Sequence, residues 1–178
     1  NNMTSVDLES ISFSERSGFE LENLDCHFVI NPRLIKIEGL HLKTKNSSII
    51  SKGIAMNYHD KEDLKDFINA VVLKGSIQKS KFNFKDISYF APKLQYIDRA
   101  INFSGDINGT VNNLFIDNLA LDLSSESYFE GNVEFKGLSD IENCLIYLDI
   151  EKCQTSKIDL ESIDLSGFGM KNNLKLPN

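Results

Sequence analysis

The stretch that decides the fold is Ile101–Leu138, INFSGDINGTVNNLFIDNLALDLSSESYFEGNVEFKGL. Its apolar residues recur at every second position in three runs, which are separated by the Asn112-Asn113 pair and by the serine-rich segment 124–127. A period of two places one set of side chains on one face of a strand and their neighbours on the other. The stretch therefore predicts three consecutive strands, each with one apolar face and one polar face.

An earlier part of the chain repeats this pattern. Residues 37–42, IEGLHL, resemble residues 116–121, IDNLAL, so that Leu40 and Leu119 correspond at a spacing of 79 positions. A serine-containing turn follows in both places, and after it Gly53 and Gly131 correspond at a spacing of 78. Such a match indicates a repeat architecture, in which each unit buries its apolar face by stacking on its neighbours.

The repeat predicts the domain organisation. Phe84–Ile87 corresponds to Leu160–Ile163 at a spacing of 76, so the offset changes slightly along the chain, as small insertions would make it do. We expect residues 1–178 to be a single fragment of a larger repeat protein, with repeat units 18–87 and 100–165. The start at Asn1-Asn2, without an initiator Met, favours the same interpretation.

Composition limits the function classes. The chain of 178 residues carries 19 basic and 26 acidic residues, a net charge of −7, and has no basic cluster with interleaved aromatic residues. Nucleic acid is therefore not an expected partner. No apolar run approaches the ~20 residues of a membrane-spanning helix, and we expect any membrane anchor to lie outside this fragment.

Together with the remaining segments, the chain predicts about a dozen strands interrupted by short helices. Residues 18–30 predict two strands joined near Asn23, and the change of parity between Ile37 and Leu40 predicts a bulge at Gly39. Residues 60–70 carry a helical stripe, and residues 85–100 predict a helix in two pieces around Pro92.

Three further expectations concern the strand faces and edges. Residues 141–151 have apolar side chains on both parities, which predicts a strand covered on both sides. Residues 158–165 predict a last strand. Lys79 and Lys81 are typical of a charged edge strand that discourages aggregation.

No pattern in the sequence predicts catalysis. The chain has no nucleophile elbow, phosphate loop or dinucleotide fingerprint. The histidines and cysteines show no metal-ligand spacing, and three cysteines leave one unpaired in any disulfide scheme. We expect no enzyme, no cofactor and no metal. These histidines and cysteines are His27, His41, His59, Cys26, Cys144 and Cys153.

Five pieces of the chain, in this order, resemble a segment of TamB-like proteins of the AsmA superfamily, particularly the Bacteroidetes-type members. They are GFELENLDCHF, IKIEGLHLKTKNSSI, LKDFINA, FKDISYFAPKL and INFSGDINGTVNNLFIDNLAL. The resemblance extends from about Gly18 to about Asp164. It implies an elongated, curled (taco-like) antiparallel β-sheet of repeated units with two or three short α-helices, whose inner face is an apolar groove.

The resemblance also implies a function. It predicts a periplasmic segment of an inner-membrane-anchored bridge protein that provides a groove for phospholipid transport between the inner and outer membranes. Assembly of outer-membrane proteins with an Omp85-type barrel partner is the associated role. The residues that parity would direct into the groove, toward phospholipid acyl chains, are Phe103, Ile107, Val111, Leu119, Leu121, Phe129, Val133 and Phe135.

Two alternatives remain open at the level of the sequence. Alternation would also suit a closed β-sandwich or barrel, in which the same residues form an ordinary core. A non-catalytic β-domain of this kind would act as a protein-interaction or adhesion module, for example through a sheet edge.

Overall fold

The computed structural model describes residues 3–16, 18–88, 100–124, 126–140 and 143–161. Within them, nine strands form one antiparallel sheet in which every strand pairs with the next along the chain, and the sheet is not closed. The predicted fold class, an open, mainly β repeat-like sheet with a few short helices, is confirmed. The strands are β1 (Thr4–Ser14), β2 (Glu20–Asn31), β3 (Leu34–Thr44), β4 (Ser48–Asn57), β5 (Val72–Asn83), β6 (Ala100–Gly109), β7 (Asn113–Asp122), β8 (Tyr128–Lys136) and β9 (Leu145–Gln154).

The helices of the described segments are short. A 3₁₀ turn, Asp63–Asp66, leads into α1 (Phe67–Ala70), α2 is Phe84–Ser88, and α3 is Lys157–Glu161. The predicted helix over residues 60–70 is therefore only partly formed. The second helical piece predicted after Pro92 lies outside the described residues, whereas α3 occupies the start of the predicted strand 158–165, whose end also lies outside them.

The two faces of the sheet differ in polarity along its whole width. Residues paired across neighbouring strands share a face, so the pairing register traces rows of side chains across the sheet. One unbroken row is Val6, Phe28, Ile37, Ile54, Gly75, Ile107, Ile116, Val133 and Leu148. The next row, on the opposite face, is Asp7, His27, Glu38, Gly53, Ser76, Asp106 and Asp117. We call the face with the apolar row the inner face and the other the outer face.

Several side chains of the inner face are buried although the described strands form no second sheet to cover them. Val133 is only 4% exposed, Leu40 8% and Ile77 9%. All nine described strands belong to one open sheet, and a sheet that curls toward its inner face, as twisted and bulged sheets do, brings side chains of different strands together. The apolar side chains of different strands thus shield one another, and the buried residues of the inner face form part of the core.

A line of β-bulges crosses the middle of the sheet. The predicted bulge at Gly39 is confirmed, because the β2–β3 register shifts there and Gly39 has a φ of +60°. Asn118 in β7 and Ser10 in β1 also interrupt the register and have φ values of 51° and 55°. Each bulge increases the local twist and bends its strand, which contributes to the curl.

Gly131 lies where β8 closely approaches the backbone of β9. A Cβ atom at this position would lie 2.0 Å from the carbonyl oxygen of Asp149 in β9, at a φ of +156°. Only glycine fits there. The register places Gly131 opposite Leu119, and Ser51 opposite Leu40. Gly131 therefore corresponds to Ser51, not to Gly53 as the sequence alignment predicts.

A buried carboxylate fastens α2 to the turn between β3 and β4. Asp86 Oδ2 accepts hydrogen bonds from Thr44 Oγ1 and Ser47 Oγ, both at 2.5 Å, and its Oδ1 accepts one from Asn46 Nδ2 at 2.8 Å. Ser47 Oγ also accepts a hydrogen bond from the backbone N–H of Asn83 at 3.0 Å. We call this arrangement the first clasp.

A similar arrangement, which we call the second clasp, lies four strands further along the chain. Asp159 of α3 accepts hydrogen bonds from Ser127 Oγ at 2.5 Å and Ser124 Oγ at 2.7 Å, in the turn between β7 and β8. Ser127 Oγ accepts a hydrogen bond from the backbone N–H of Ser156 at 3.3 Å, as Ser47 does from Asn83. Asp86 and Asp159 thus correspond at a spacing of 73, which differs from the predicted match of Phe84–Ile87 to Leu160–Ile163.

Three strand predictions are wrong. Residues 18–30 do not form two strands, because β2 continues past Asn23 with a register shift there. β5, with Lys79 and Lys81, is not an edge strand, because it pairs with both β4 and β6. β9 is not covered on both sides: it is the last strand of the sheet, and all ten of its residues are exposed.

Candidate ligand-binding face

Seven of the eight predicted groove residues lie on the inner face. Phe103, Leu121 and Phe129 stand directly opposite one another on β6, β7 and β8. Ile107 and Val133 belong to the unbroken apolar row, Leu119 lies opposite Gly131, and Phe135 lies opposite Leu114.

The eighth residue, Val111, lies on none of the strands. β6 ends at Gly109, and Val111 is in the turn that leads to β7. The parity rule does not apply to Val111, because alternation of faces requires an extended backbone. The backbone leaves the extended conformation after Gly109, whose φ is +118°, and the alternation of faces ends with it.

The same face contains residues that parity within the central stretch does not identify. Leu114 and Ile116 are at even positions, but the bulge at Asn118 adds a residue and brings them onto the same face as Leu119 and Leu121. The change of parity that predicts the bulge at Gly39 occurs here too and could have revealed them. On the first strands the inner face continues with Leu24, Phe28, Ile30, Ile35, Ile37, Leu42, Ile49, Ile54, Met56 and Leu73.

Polar atoms on the inner face are satisfied within the protein. Ser51 Oγ donates to the carbonyl oxygen of Ser76 at 2.7 Å, and Ser80 Oγ accepts from the N–H of Ile50 at 2.9 Å. Burial raises the pKa of the Cys26 thiol, and the nearby Asp25 charge adds to the effect, so the thiol stays protonated and unreactive. In the described segments no buried side-chain nitrogen or oxygen lacks a partner. The surface can therefore offer contact and exclusion of water, but no directed hydrogen bonds.

Carboxylates on the outer face support the bulges. Asp25 accepts a hydrogen bond from the N–H of Ser10 at 2.7 Å, and this bond, with a second from Asn23, lowers the pKa of the Asp25 carboxyl. Asp106 accepts a hydrogen bond from Asn118 Nδ2 at 2.9 Å, which together with Ser76 lowers its pKa. These acids are exposed structural groups, since each one ties a bulge to a neighbouring strand.

Salt bridges complete the outer face. Lys136 pairs with Glu134 at 2.9 Å and Lys152 with Glu130 at 2.6 Å, and these carboxylates raise the pKa of both lysines. Lys136 Nζ also lies 4.7 Å from the ring centre of Tyr147. Exposed pairs of this kind keep the outer face solvated and contribute ~0–1 kcal/mol each to stability.

Two surface depressions are too small for an ordinary small-molecule site. One, of about 150 Å³, lies beside the first clasp, and the other, of about 200 Å³, lies between β7 and β9 near Phe115 and Tyr147. Small-molecule pockets usually enclose ~300–1,000 Å³. The inner face, which extends over the whole sheet, is a much larger surface.

Neither a metal-binding cluster nor a membrane-spanning helix occurs among the described residues. No group of three or more His, Cys, Asp or Glu side chains there could hold a metal ion. Among the helices of the same residues, none has the length and apolarity needed to cross a membrane. The cysteines Cys26, Cys144 and Cys153 are free thiols.

Comparison with known proteins found no family model, no curated protein and no solved structure that matches the chain.

Proposed function

We propose that the inner face binds phospholipid acyl chains, and that the chain is a periplasmic segment of a TamB-like bridge protein. In this proposal the segment extends an apolar groove along which phospholipid moves between the inner and outer membranes. Cooperation with an Omp85-type barrel in outer-membrane protein assembly belongs to the same proposal. The protein carries out no catalysis and needs no cofactor, since its contribution is a surface.

The unbroken apolar row from Val6 on β1 to Leu148 on β9 is the observation that carries this proposal. Nine strands at a spacing of ~4.8 Å extend over roughly 40 Å. Half of a bilayer's hydrocarbon core is ~15 Å thick. The face is therefore long enough to hold an acyl chain along its entire length.

Physical chemistry favours an open curled sheet for this task. Acyl chains are driven out of water by a non-directional effect that scales with the apolar area removed. The strands satisfy their backbone hydrogen bonds with one another, so the inner face presents side chains and no unpaired peptide groups. The charged outer face, including Lys136 and Lys152, keeps the protein solvated. The resemblance of the five quoted segments to TamB-like proteins is the second support.

The test uses a matched pair of substitutions on neighbouring residues of β6. Phe103→Asp places a carboxylate on the inner face, whereas Asn102→Asp places one on the outer face beside Lys81. Purified protein is analysed by native mass spectrometry with extraction of bound lipid, and then titrated with a fluorescent fatty acid. We expect the parent and Asn102→Asp to bind, and Phe103→Asp to bind at least ~10-fold more weakly, a loss of about 1.4 kcal/mol.

Circular dichroism checks that both variants fold. Equal binding by Phe103→Asp and the parent would contradict the groove, and so would a parent that neither retains lipid nor binds the fatty acid.

A second candidate function is a protein-interaction module. The closed form of this alternative is wrong, because the sheet is open. The exposed strand β9 favours an interaction through a sheet edge, the mode in which an added strand extends a sheet.

A further inference from the structure

Two lysines lie near one another on the outer face, close to the first clasp. Lys43 of β3 and Lys81 of β5 both pair with Ser48, which lies between them on β4. At the usual strand spacing of ~4.8 Å, their backbones are about 10 Å apart. Lys79 lies two residues before Lys81 on the same strand. Three ammonium groups can therefore reach one region of the surface.

The first clasp brings two further lysines to the same end of the strands. Asn46 and Asp86 are joined by a hydrogen bond of 2.8 Å. Their neighbours in the chain are Lys45, in the turn between β3 and β4, and Lys85, in α2. All five lysines are exposed. We call these five residues the lysine cluster: Lys43, Lys45, Lys79, Lys81 and Lys85.

Acidic residues balance only part of the charge of the lysine cluster. Lys43 pairs with Glu22 of β2 at 2.9 Å, and Glu20 lines the depression beside the clasp. Asp86 is buried, and both its oxygens accept hydrogen bonds within the clasp. Five lysines thus face three carboxylates, in a chain whose net charge is −7. Three members of the cluster form no salt bridge within the described part of the chain: Lys45, Lys79 and Lys81.

The lysine cluster is not explained by protection of a sheet edge. Lys79 and Lys81 lie on β5, which pairs with a strand on both sides. Like charges on neighbouring strands are destabilising, so the cluster costs the fold some stability. A group of like charges that the sheet does not need indicates a role in binding.

The second clasp shows that the clasp itself does not need these lysines. In that unit the two residues that flank the middle strand are Asp122 and Gln154. The residue before the clasp aspartate is Ile158, in place of Lys85, and the turn carries Glu126. The clasp is therefore common to both units, whereas the lysine cluster surrounds only the first.

We propose that the lysine cluster docks the protein on a membrane surface that displays anionic phospholipid head groups. Such a surface presents many negative charges in one plane, and each nearby lysine adds its own electrostatic attraction. An acidic protein partner fits the cluster less well, because protein interfaces are depleted in lysine and enriched in arginine and aromatic residues. The depression beside the clasp, of about 150 Å³, is too small to make an enclosed site for a whole lipid.

The charge distribution sets the orientation of the docked protein. The net charge of −7 repels the chain as a whole from an anionic surface, so the lysine cluster has to face the membrane and the acidic remainder has to face away. This orientation brings the ends of β3, β4 and β5 at the first clasp to the bilayer. One rim of the inner face then lies at the membrane surface. The docking itself does not require that the inner face binds acyl chains.

Co-sedimentation with lipid vesicles tests the proposal. The parent protein is mixed with vesicles of phosphatidylcholine alone, or of phosphatidylcholine and phosphatidylglycerol in equal parts. We expect at least ~10-fold tighter binding to the mixed vesicles, and weaker binding as NaCl is raised, because salt screens these charges. The double variant Lys79→Gln/Lys81→Gln is expected to bind the mixed vesicles at least ~10-fold more weakly, since each lysine near an anionic surface contributes about 5-fold.

Lys61→Gln/Lys65→Gln is the matched control. It removes the same charge from the connection at the opposite ends of β4 and β5, and it should leave vesicle binding unchanged. Urea denaturation should show Lys79→Gln/Lys81→Gln to be at least as stable as the parent, because the substitution removes only repulsion. Phe103→Asp keeps all five lysines and should bind the mixed vesicles as the parent does, which separates this test from that of the groove.

Three outcomes overturn the proposal. The first is equal binding of the parent to both kinds of vesicle, and the second is an equal loss of binding in the control variant. The third is a parent that binds neither kind of vesicle but binds an oligo-glutamate peptide, which would assign the lysine cluster to an acidic protein partner.

Discussion

The chain contains two four-stranded units that can be compared strand for strand. The first unit is β2–β5 with α2, and the second is β6–β9 with α3. Each has a bulge in its second strand, at Gly39 or Asn118, and each ends in a clasp, at Asp86 or Asp159. The correspondence is structural, and the sequence repeat with units 18–87 and 100–165 stays a prediction. The shared features are those that bend the strands and hold the turns.

The units differ at the position that Ser51 occupies in the first and Gly131 in the second. In the first unit Ser51 has a side chain that bonds across to β5, whereas in the second unit Gly131 leaves no room for one beside β9. The fourth strands differ as well: β5 is enclosed between two neighbours, and β9 ends the sheet. The comparison teaches that corresponding positions of the two units join their strands by different local means, a side-chain hydrogen bond at Ser51 and close backbone contact at Gly131.

The largest expected effect on stability distinguishes the Gly131 position from the Ser51 position. Gly131→Ser would force a Cβ atom toward the Asp149 carbonyl oxygen at a strained φ, and we expect a loss of about 3 kcal/mol in the free energy of unfolding. Ser51→Gly removes two hydrogen bonds, to Ser76 and from Gly53, and should cost about 1 kcal/mol. Urea denaturation measures both. Equal losses would contradict the difference between the units.

The first clasp has the next largest expected effect on stability. Asp86→Ala leaves the side chains of Thr44, Asn46 and Ser47 without their common acceptor in a buried site, and we expect a loss of about 2 kcal/mol. Thermal and urea denaturation check this value. Asp86→Asn is the control, since it keeps the volume and one acceptor oxygen and should cost less. A neutral Asp86→Ala would show that the clasp does not stabilise the unit.

The second clasp should matter less. Asp159 is only half-buried, whereas Asp86 is buried. Ser127 also keeps a hydrogen bond with Thr155 Oγ1. We expect Asp159→Ala to lower the free energy of unfolding by about 1 kcal/mol, measured in the same way. A loss in Asp159→Ala that equals or exceeds the loss in Asp86→Ala would show that burial does not determine how much each clasp stabilises the protein.

The smallest effect concerns the two bulges. Asn118→Gly gives the second unit the residue that the first has at Gly39, keeps the positive φ without strain, and removes the hydrogen bond to Asp106. We expect the pKa of the Asp106 carboxyl to rise toward its ordinary value of 3.8, measured by NMR titration.

The sign for stability follows from linkage. Because the folded-state pKa of Asp106 is lowered, its contribution is present above about pH 3.8 and is lost as the pH falls through the folded value. As the pH falls from about 4 to the folded-state pKa of Asp106, the free energy of unfolding should therefore decrease less in Asn118→Gly than in the parent. An unchanged titration of Asp106 would show that the Asn118 side chain does not support the bulge.

Much of the fold could be predicted because alternation is a local signal. Phe103, Leu121 and Phe129 follow the period of two, and each lies where that period places it. The bulge at Gly39 could be predicted because a glycine and a change of parity coincide. At Asn118 the change of parity occurs without a glycine, and Leu114 and Ile116 were therefore missed. Parity also selected Val111, which lies in the turn after Gly109, where the alternation of faces ends.

The sequence by itself determined the strands of the central stretch and their apolar faces, because these depend on side chains only a few positions apart. Tertiary structure alone decided which strands end the sheet, as the opposite predictions for β5 and β9 show. It also decided that Asp86 and Asp159 would meet turns some 40 and 35 residues away. The sequence carries no local signal for which strands end the sheet or for the partners of these two carboxylates. Both depend on which distant segments the folded chain brings beside them.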